Sequence, residues 1–102
     1  MTIFAGTWDV TVDTPIGKIL AVFQITDEDG VIRGTATTDK ESVEFIDALA
    51  DGNRLTWTQK VATPMRLTLK FEVDVEGDSM TGTSKAGPLP SSKVYGTRSS
   101  TH

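Results

Sequence analysis

The sequence predicts an all-β domain, an eight-stranded antiparallel up-and-down β-barrel. Eight short runs of strand-like sequence follow one another, and no window carries a helical apolar period. The breaks between runs also alternate between two kinds. One kind is tight and acidic: Asp27-Glu28-Asp29-Gly30, Asp51-Gly52-Asn53 and Glu76-Gly77-Asp78. The other is looser and holds all four prolines. In a meander of even strand number every second turn falls at the same end. The barrel should therefore have one plain acidic end and one end of looser, more apolar loops.

The first run, Thr7 to Asp13, sets Trp8, Val10 and Val12 on one face against Thr7, Asp9, Thr11 and Asp13 on the other. That alternation marks a half-buried strand. The second, Lys18 to Thr26, is apolar on both faces, with Ile19, Ala21, Phe23 and Ile25 opposed to Leu20 and Val22. The third spans Val31 to Thr38. The fourth spans about Ser42 to Ala50, where Val43 and Phe45 alternate well enough for a strand rather than a turn of helix. In the fifth, Arg54 to Val61, Leu55, Trp57, Gln59 and Val61 alternate with threonines and Lys60. The sixth is the clearest: Met65, Leu67, Leu69, Phe71, Val73 and Val75 face one way, Arg66, Thr68, Lys70, Glu72 and Asp74 the other. Ser79 to Lys85 and Ser92 to Arg98 complete the set. Residues 1–98 form one domain, and 99–102 read as a polar, frayed tail. Closing eight strands removes the bare edges that invite aggregation. A two-sheet sandwich is the alternative, but it usually needs longer crossings than these hairpins offer.

Composition narrows the function classes. The chain has 102 residues, ten basic against fourteen acidic, and no two basic residues adjacent. A nucleic-acid partner is disfavoured, because a phosphate backbone calls for clustered positive charge. No apolar run approaches a membrane span. The absence of cysteine removes disulfides, thiolate nucleophiles and Cys-type metal sites, and a cytoplasmic location is the default expectation.

Gly6-Thr7-Trp8 opens the first run and Arg98 closes the last. In an up-and-down barrel these ends are neighbours, so the Arg98 guanidinium can lie over the Trp8 indole at the acidic-turn end. With that pair the chain resembles the calycin superfamily, the lipocalin-like and avidin-like barrels, in which a Gly-x-Trp and a basic residue from the last strand close one end. In its compactness it resembles avidin-like barrels and the small barrels of the allene-oxide-cyclase and spirotetronate-cyclase type. It is short for a lipocalin and lacks the helix expected after the eighth strand, and no biotin-binding residues carry over. The pair itself reads as a plug.

The looser end is where a site is expected. Ile16, Met65 and Leu89 are apolar residues at or beside its turns, where polar ones are the rule. They rim a pocket mouth, form an oligomer contact, or fold over the core as a lid. Alternation sends Val10, Val12, Ile19, Ala21, Phe23, Ala36, Val43, Phe45, Trp57, Leu67 and Leu69 into the lumen. Eight strands leave room for these side chains or for one small ligand, not for both in abundance. Ala21, Gly34, Ala36, Gly82 and Gly96 either leave some wall open or serve curvature. The few polar residues in the inward register are Thr38, Gln59, Ser84, Ser92 and Asp47. Gln59 stands out, because a buried amide between Trp57 and Val61 needs a partner, whether protein, water or ligand. The expected ligand-binding set is thus Ile16, Thr38, Phe45, Trp57, Gln59, Met65, Leu67, Ser84 and Leu89.

Catalytic inventory is thin. The single histidine is His102, which leaves no histidine-based base, triad or zinc site in the domain. Asp27-Glu28-Asp29-Gly30 is similar to the opening of a calcium loop, but Thr38 stands where the bidentate Glu is required. No phosphate or dinucleotide fingerprint occurs, and neither a metal nor a cofactor is expected. Asp47, inward on the fourth run and read as a base, or Tyr95 are the catalytic candidates. A barrel that folds a reactive hydrophobic substrate, as the cyclase-like barrels do, needs no acid–base pair. Leu20, Val22 and Tyr95 point outward on runs that both neighbour the first, and such a patch suggests a homodimer. Three functions follow as expectations: binding of a small apolar molecule through the proline-loop end, a cyclase or isomerase using the same cavity, or a filled barrel that recruits a partner.

Overall fold

Period-2 alternation turns each run into a pleated strand with one apolar face, and joining those faces around an axis buries them all. A computed structural model of the chain describes residues 3–15, 17–62, 66–87 and 89–99. Its strands are β1 (Gly6–Thr14), β2 (Gly17–Glu28), β3 (Val31–Thr37), β4 (Ser42–Glu44), β5 (Ile46–Asp51), β6 (Arg54–Val61), β7 (Leu67–Glu76), β8 (Ser79–Lys85) and β9 (Ser92–Arg98). They form one antiparallel sheet in the order β4-β3-β2-β1-β9-β8-β7-β6-β5. The two outermost strands of that order are consecutive in the chain, so the sheet curls into a nearly closed up-and-down barrel.

The strand count is nine rather than eight, because the fourth run breaks. β4 pairs with β3 across Thr35–Thr37, and β5 pairs with β6 from Ile46 to Asp51. Between them Phe45 still donates its N–H to Gly34 O at 2.8 Å. The register then shifts between Ile46 and Leu49, with Asp47 at a φ of 54°. A closing strand must leave one neighbour and join the other, and a bulge supplies the bend. The extra residue also reverses the pleat. Asp47, expected inward, is exposed, and Ala48 packs against the core instead. The third run ends at Thr37, so Thr38 belongs to the following turn.

The acidic breaks are two-residue hairpins. Asp29 and Gly30 both take positive φ, 56° and 83°, as a type I′ turn requires, and Gly30 N donates to Asp27 Oδ1 at 3.0 Å. Gly52 and Gly77 lead the other two turns at φ 62° and 59°. Near this end Trp8, Leu55 and Met80 are wholly buried, with Ile25, Val73 and Val75 around them.

Higher in the barrel an aromatic cluster fills the lumen. Phe45, Trp57 and Phe71 stack in parallel, with ring centroids 4.2 and 5.0 Å apart, and Phe23 meets all three edge-on at 5.4–6.0 Å. Stacked and edge-to-face pairs each stabilise by roughly 0.5–1.5 kcal/mol beyond their burial. The inward glycines leave no open wall. The Phe45 ring occupies the space over Gly34, and a Cβ on Gly82 would lie 1.9 Å from the Glu72 carbonyl oxygen. Both positions therefore mark close approach.

Candidate functional site: the mouth of the barrel

One end of the barrel is bolted. β1 and β9 pair with Trp8 opposite Arg98, and the guanidinium carbon sits 4.3 Å from the centre of the indole. Arg98 Nε donates to Asp78 Oδ1 at 2.9 Å, while the terminal nitrogens donate to the carbonyls of Ile3 (2.7 Å), Gly77 (3.1 Å) and Ala5. Trp8 Nε1 donates to Phe4 O at 2.9 Å, drawing the segment before β1 across the barrel end. Guanidinium geometry suits this task, since its planar fork aims several N–H groups at once.

The opposite end widens. From the wholly buried Trp8, exposure of inward residues rises through Ala21 and half-buried Val12, Val43, Val61, Leu67 and Leu69 to Ile19, 41% exposed at the rim. The register fixes these residues on the same face as the core: Val12 pairs with Ile19, and Val61 with Leu67. This gradient of exposure defines an apolar mouth, a funnel above the Phe23, Trp57 and Phe71 rings, in which Val12, Val43 and Leu69 pack against the core while staying partly exposed. A depression of about 400 Å³ reaches its rim at Val61 and Leu67, flanked by Lys60 and Arg66. A second, of about 410 Å³, lies on the outer wall over Gln24, Arg33, Glu44 and the edge of Phe45.

The expected site residues divide. Trp57, Gln59, Leu67 and Ser84 face the funnel or its floor, and Phe45 belongs to the aromatic stack beneath it. Thr38 is occupied elsewhere: its Oγ1 accepts from the N–H groups of Lys40 and Glu41 at 3.2 and 3.3 Å, which holds the β3–β4 turn. Leu89 is exposed on the β8–β9 loop. Ile16 and Met65 lie outside the described residues. Neither catalytic candidate reaches the lumen, since Asp47 is exposed on the bulge and Tyr95 pairs with Thr11 on the outer face.

Two contacts at this end escape sequence reading. Trp57 Nε1 donates to Gln59 Oε1 at 2.8 Å, a bond that the Trp-x-Gln spacing on one strand face makes available. The Glu41 carboxylate accepts from Ala62 N at 3.1 and 3.2 Å, joining the β3–β4 turn to the end of β6 across the seam. An acidic residue in a polar turn gives no hint of that reach.

No protein-family model matches the chain, and no curated protein matches it. The all-β, nearly closed antiparallel barrel is compatible with a calycin-like fold. Among the described residues no helix is long and apolar enough to cross a membrane, and no three His, Cys, Asp or Glu side chains are grouped to hold a metal ion. Arg54, whose pKa is raised by its hydrogen bond to Asp74 and by the charges of Asp74 and Glu72, lies at the acidic-turn end, away from the mouth.

Proposed function

We propose that the protein binds a small apolar molecule in the mouth of its barrel, admitted through the end that carries the proline-bearing loops. The graded exposure of inward-facing apolar residues carries this reading. Ile19, Val12, Val43, Leu67 and Leu69 sit in the lumen register yet remain open, while their counterparts at the bolted end are sealed. A ligand covering them would remove apolar surface from water at about 25 cal/mol per Å². The calycin-like resemblance points the same way, since such barrels take ligands through one open end. Asp47 and Tyr95 both lie outside the funnel, so a cyclase or isomerase using the same cavity would act by folding its substrate, without help from either side chain.

Native mass spectrometry of the protein purified from its own cells, followed by denaturation and identification of released small molecules, tests the proposal. A stoichiometric apolar passenger is the expected result. A protein that arrives empty and also ignores a panel of hydrophobic dyes would instead be a filled barrel serving as an interaction module.

The outer wall favours one further property, a homodimer. Leu20, Thr11 and Tyr95 form a single cross-strand row on β2, β1 and β9, with Leu20 71% exposed and Val22 beside it. Light scattering should give twice the 11.0 kDa chain mass at high concentration, and Leu20→Glu should return it to one. A wild-type protein that stays at the single-chain mass contradicts the dimer.

A further inference from the structure

Gln59 lies at the foot of the funnel and is only 4% exposed. Its amide orientation is fixed by chemistry. The indole N–H of Trp57 can only donate, so the atom it meets at 2.8 Å must be Oε1, and Nε2 takes the other side. That NH₂ group has two hydrogens to place, and no described residue accepts either of them. Yet no fully enclosed side-chain nitrogen or oxygen among the described residues lacks a partner. The Nε2 edge is therefore not sealed in the wall but opens into the funnel. Ser84, also 4% exposed, repeats the pattern with a hydroxyl that makes no side-chain hydrogen bond. It stands two strands away, opposite Phe71 on β7 and Ser92 on β9, on the same inward face.

The funnel thus offers a donor that nothing in the described protein uses, set in an apolar wall. In the mouth half of the barrel no inward-facing strand position among those described bears a charge. The nearest acid in that register, Glu41, accepts from the Ala62 N–H. Inside the funnel, past Lys60 and Arg66 at the rim, a ligand carboxylate would find no cation, and a buried unpaired ion is far more costly than a buried dipole. A pure hydrocarbon would cover the funnel but strand the amide N–H groups without water.

Resting on the proposed binding of an apolar molecule at this mouth, we infer that its ligand is uncharged and carries a carbonyl or equivalent hydrogen-bond acceptor. That oxygen is received by Gln59 Nε2. Ketones, esters, lactones and neutral amides on an apolar body belong to this class. Trp57 becomes a positioning residue, since its N–H holds the amide with the donor edge outward.

Three matched probes test the inference by titration: 2-acetylnaphthalene, 2-ethylnaphthalene and 2-naphthoate. The ketone should bind wild-type protein about five- to tenfold more tightly than the hydrocarbon, the worth of one net hydrogen bond. The carbonyl stretch of the bound ketone should shift to lower frequency. Gln59→Leu should remove both the preference and the shift while retaining the hydrocarbon, which also reports that the variant is folded. Equal binding of ketone and hydrocarbon by wild-type protein would overturn the acceptor requirement and leave the apolar funnel standing. Preference for the naphthoate, drawn by Lys60 and Arg66 outside the rim, would overturn neutrality. Binding of none of the three would remove the funnel itself as a site, and this inference with it.

Discussion

Trp57→Ala is expected to lower the unfolding free energy by about 3–5 kcal/mol, the range for deleting a large aromatic from a packed core. The indole is the middle ring of the Phe45–Trp57–Phe71 stack and one of the three faces Phe23 abuts, so its removal leaves no neighbour able to fill the gap. A domain of this size has roughly 5–15 kcal/mol to lose, so the variant should sit close to unfolding. Trp57→Phe separates two contributions. It keeps a ring in the stack but removes the donor to Gln59 Oε1, at a cost of about 1–2 kcal/mol. Chemical denaturation read by far- and near-ultraviolet circular dichroism measures both. If the alanine variant loses under about 1 kcal/mol, the stack does not organise the core.

The second large effect concerns the bolt. Arg98→Ala is expected to cost about 2–4 kcal/mol, less than the sum of its separate contacts because they share one side chain. Its bond to Asp78 contributes little, since that carboxylate is 81% exposed and water screens it. The weight rests on the carbonyls of Ile3, Ala5 and Gly77 and on the Trp8 face. Arg98→Lys keeps the charge but has a single ammonium in place of the fork, so it should recover less than half of the loss. Hydrogen exchange should then accelerate at Trp8 and at Ser99, whose N–H bonds Thr7 O at 2.7 Å. Unchanged stability in the alanine variant would make Trp8 a core residue that needs no cap.

Much of this architecture was legible because most strands obey one rule. The alternation of Trp8, Val10 and Val12, or of Leu67 through Val75, assigns faces without knowledge of neighbours, and the two kinds of break then sort the ends. The fourth run defeated the rule. An alternation count assumes one residue per half-pleat, whereas the bulge at Asp47 inserts one more and reverses every later side chain. The doublet Phe45-Ile46 was the available warning, since two adjacent apolar residues in an alternating strand mark a slip of phase. Ile19 shows a different limit. Its register is inward as read, yet it is open, because register says nothing about how much lies above a residue. Gln59 was recognisable as a buried amide in need of a partner. Which of its two polar edges the protein satisfies depends on the Trp57 rotamer, and that is set only by the stack.

The meeting of β1 with β9 also bears on how the chain reaches this state. Of the eight ladders, seven join strands that are neighbours in sequence, and β1 with β9 is the exception. Hairpins can zip locally within microseconds, but this one ladder must draw together segments separated by nearly the whole chain. The length-dependent part of that loop-closure entropy is about 4 kcal/mol, and it falls on a single event rather than being spread over the sheet. Contact order, and with it the folding rate, is therefore governed by one junction. Arg98 spans that junction, reaching from β9 to the residues that precede β1. The bolt lies where the topology asks most of the unfolded chain.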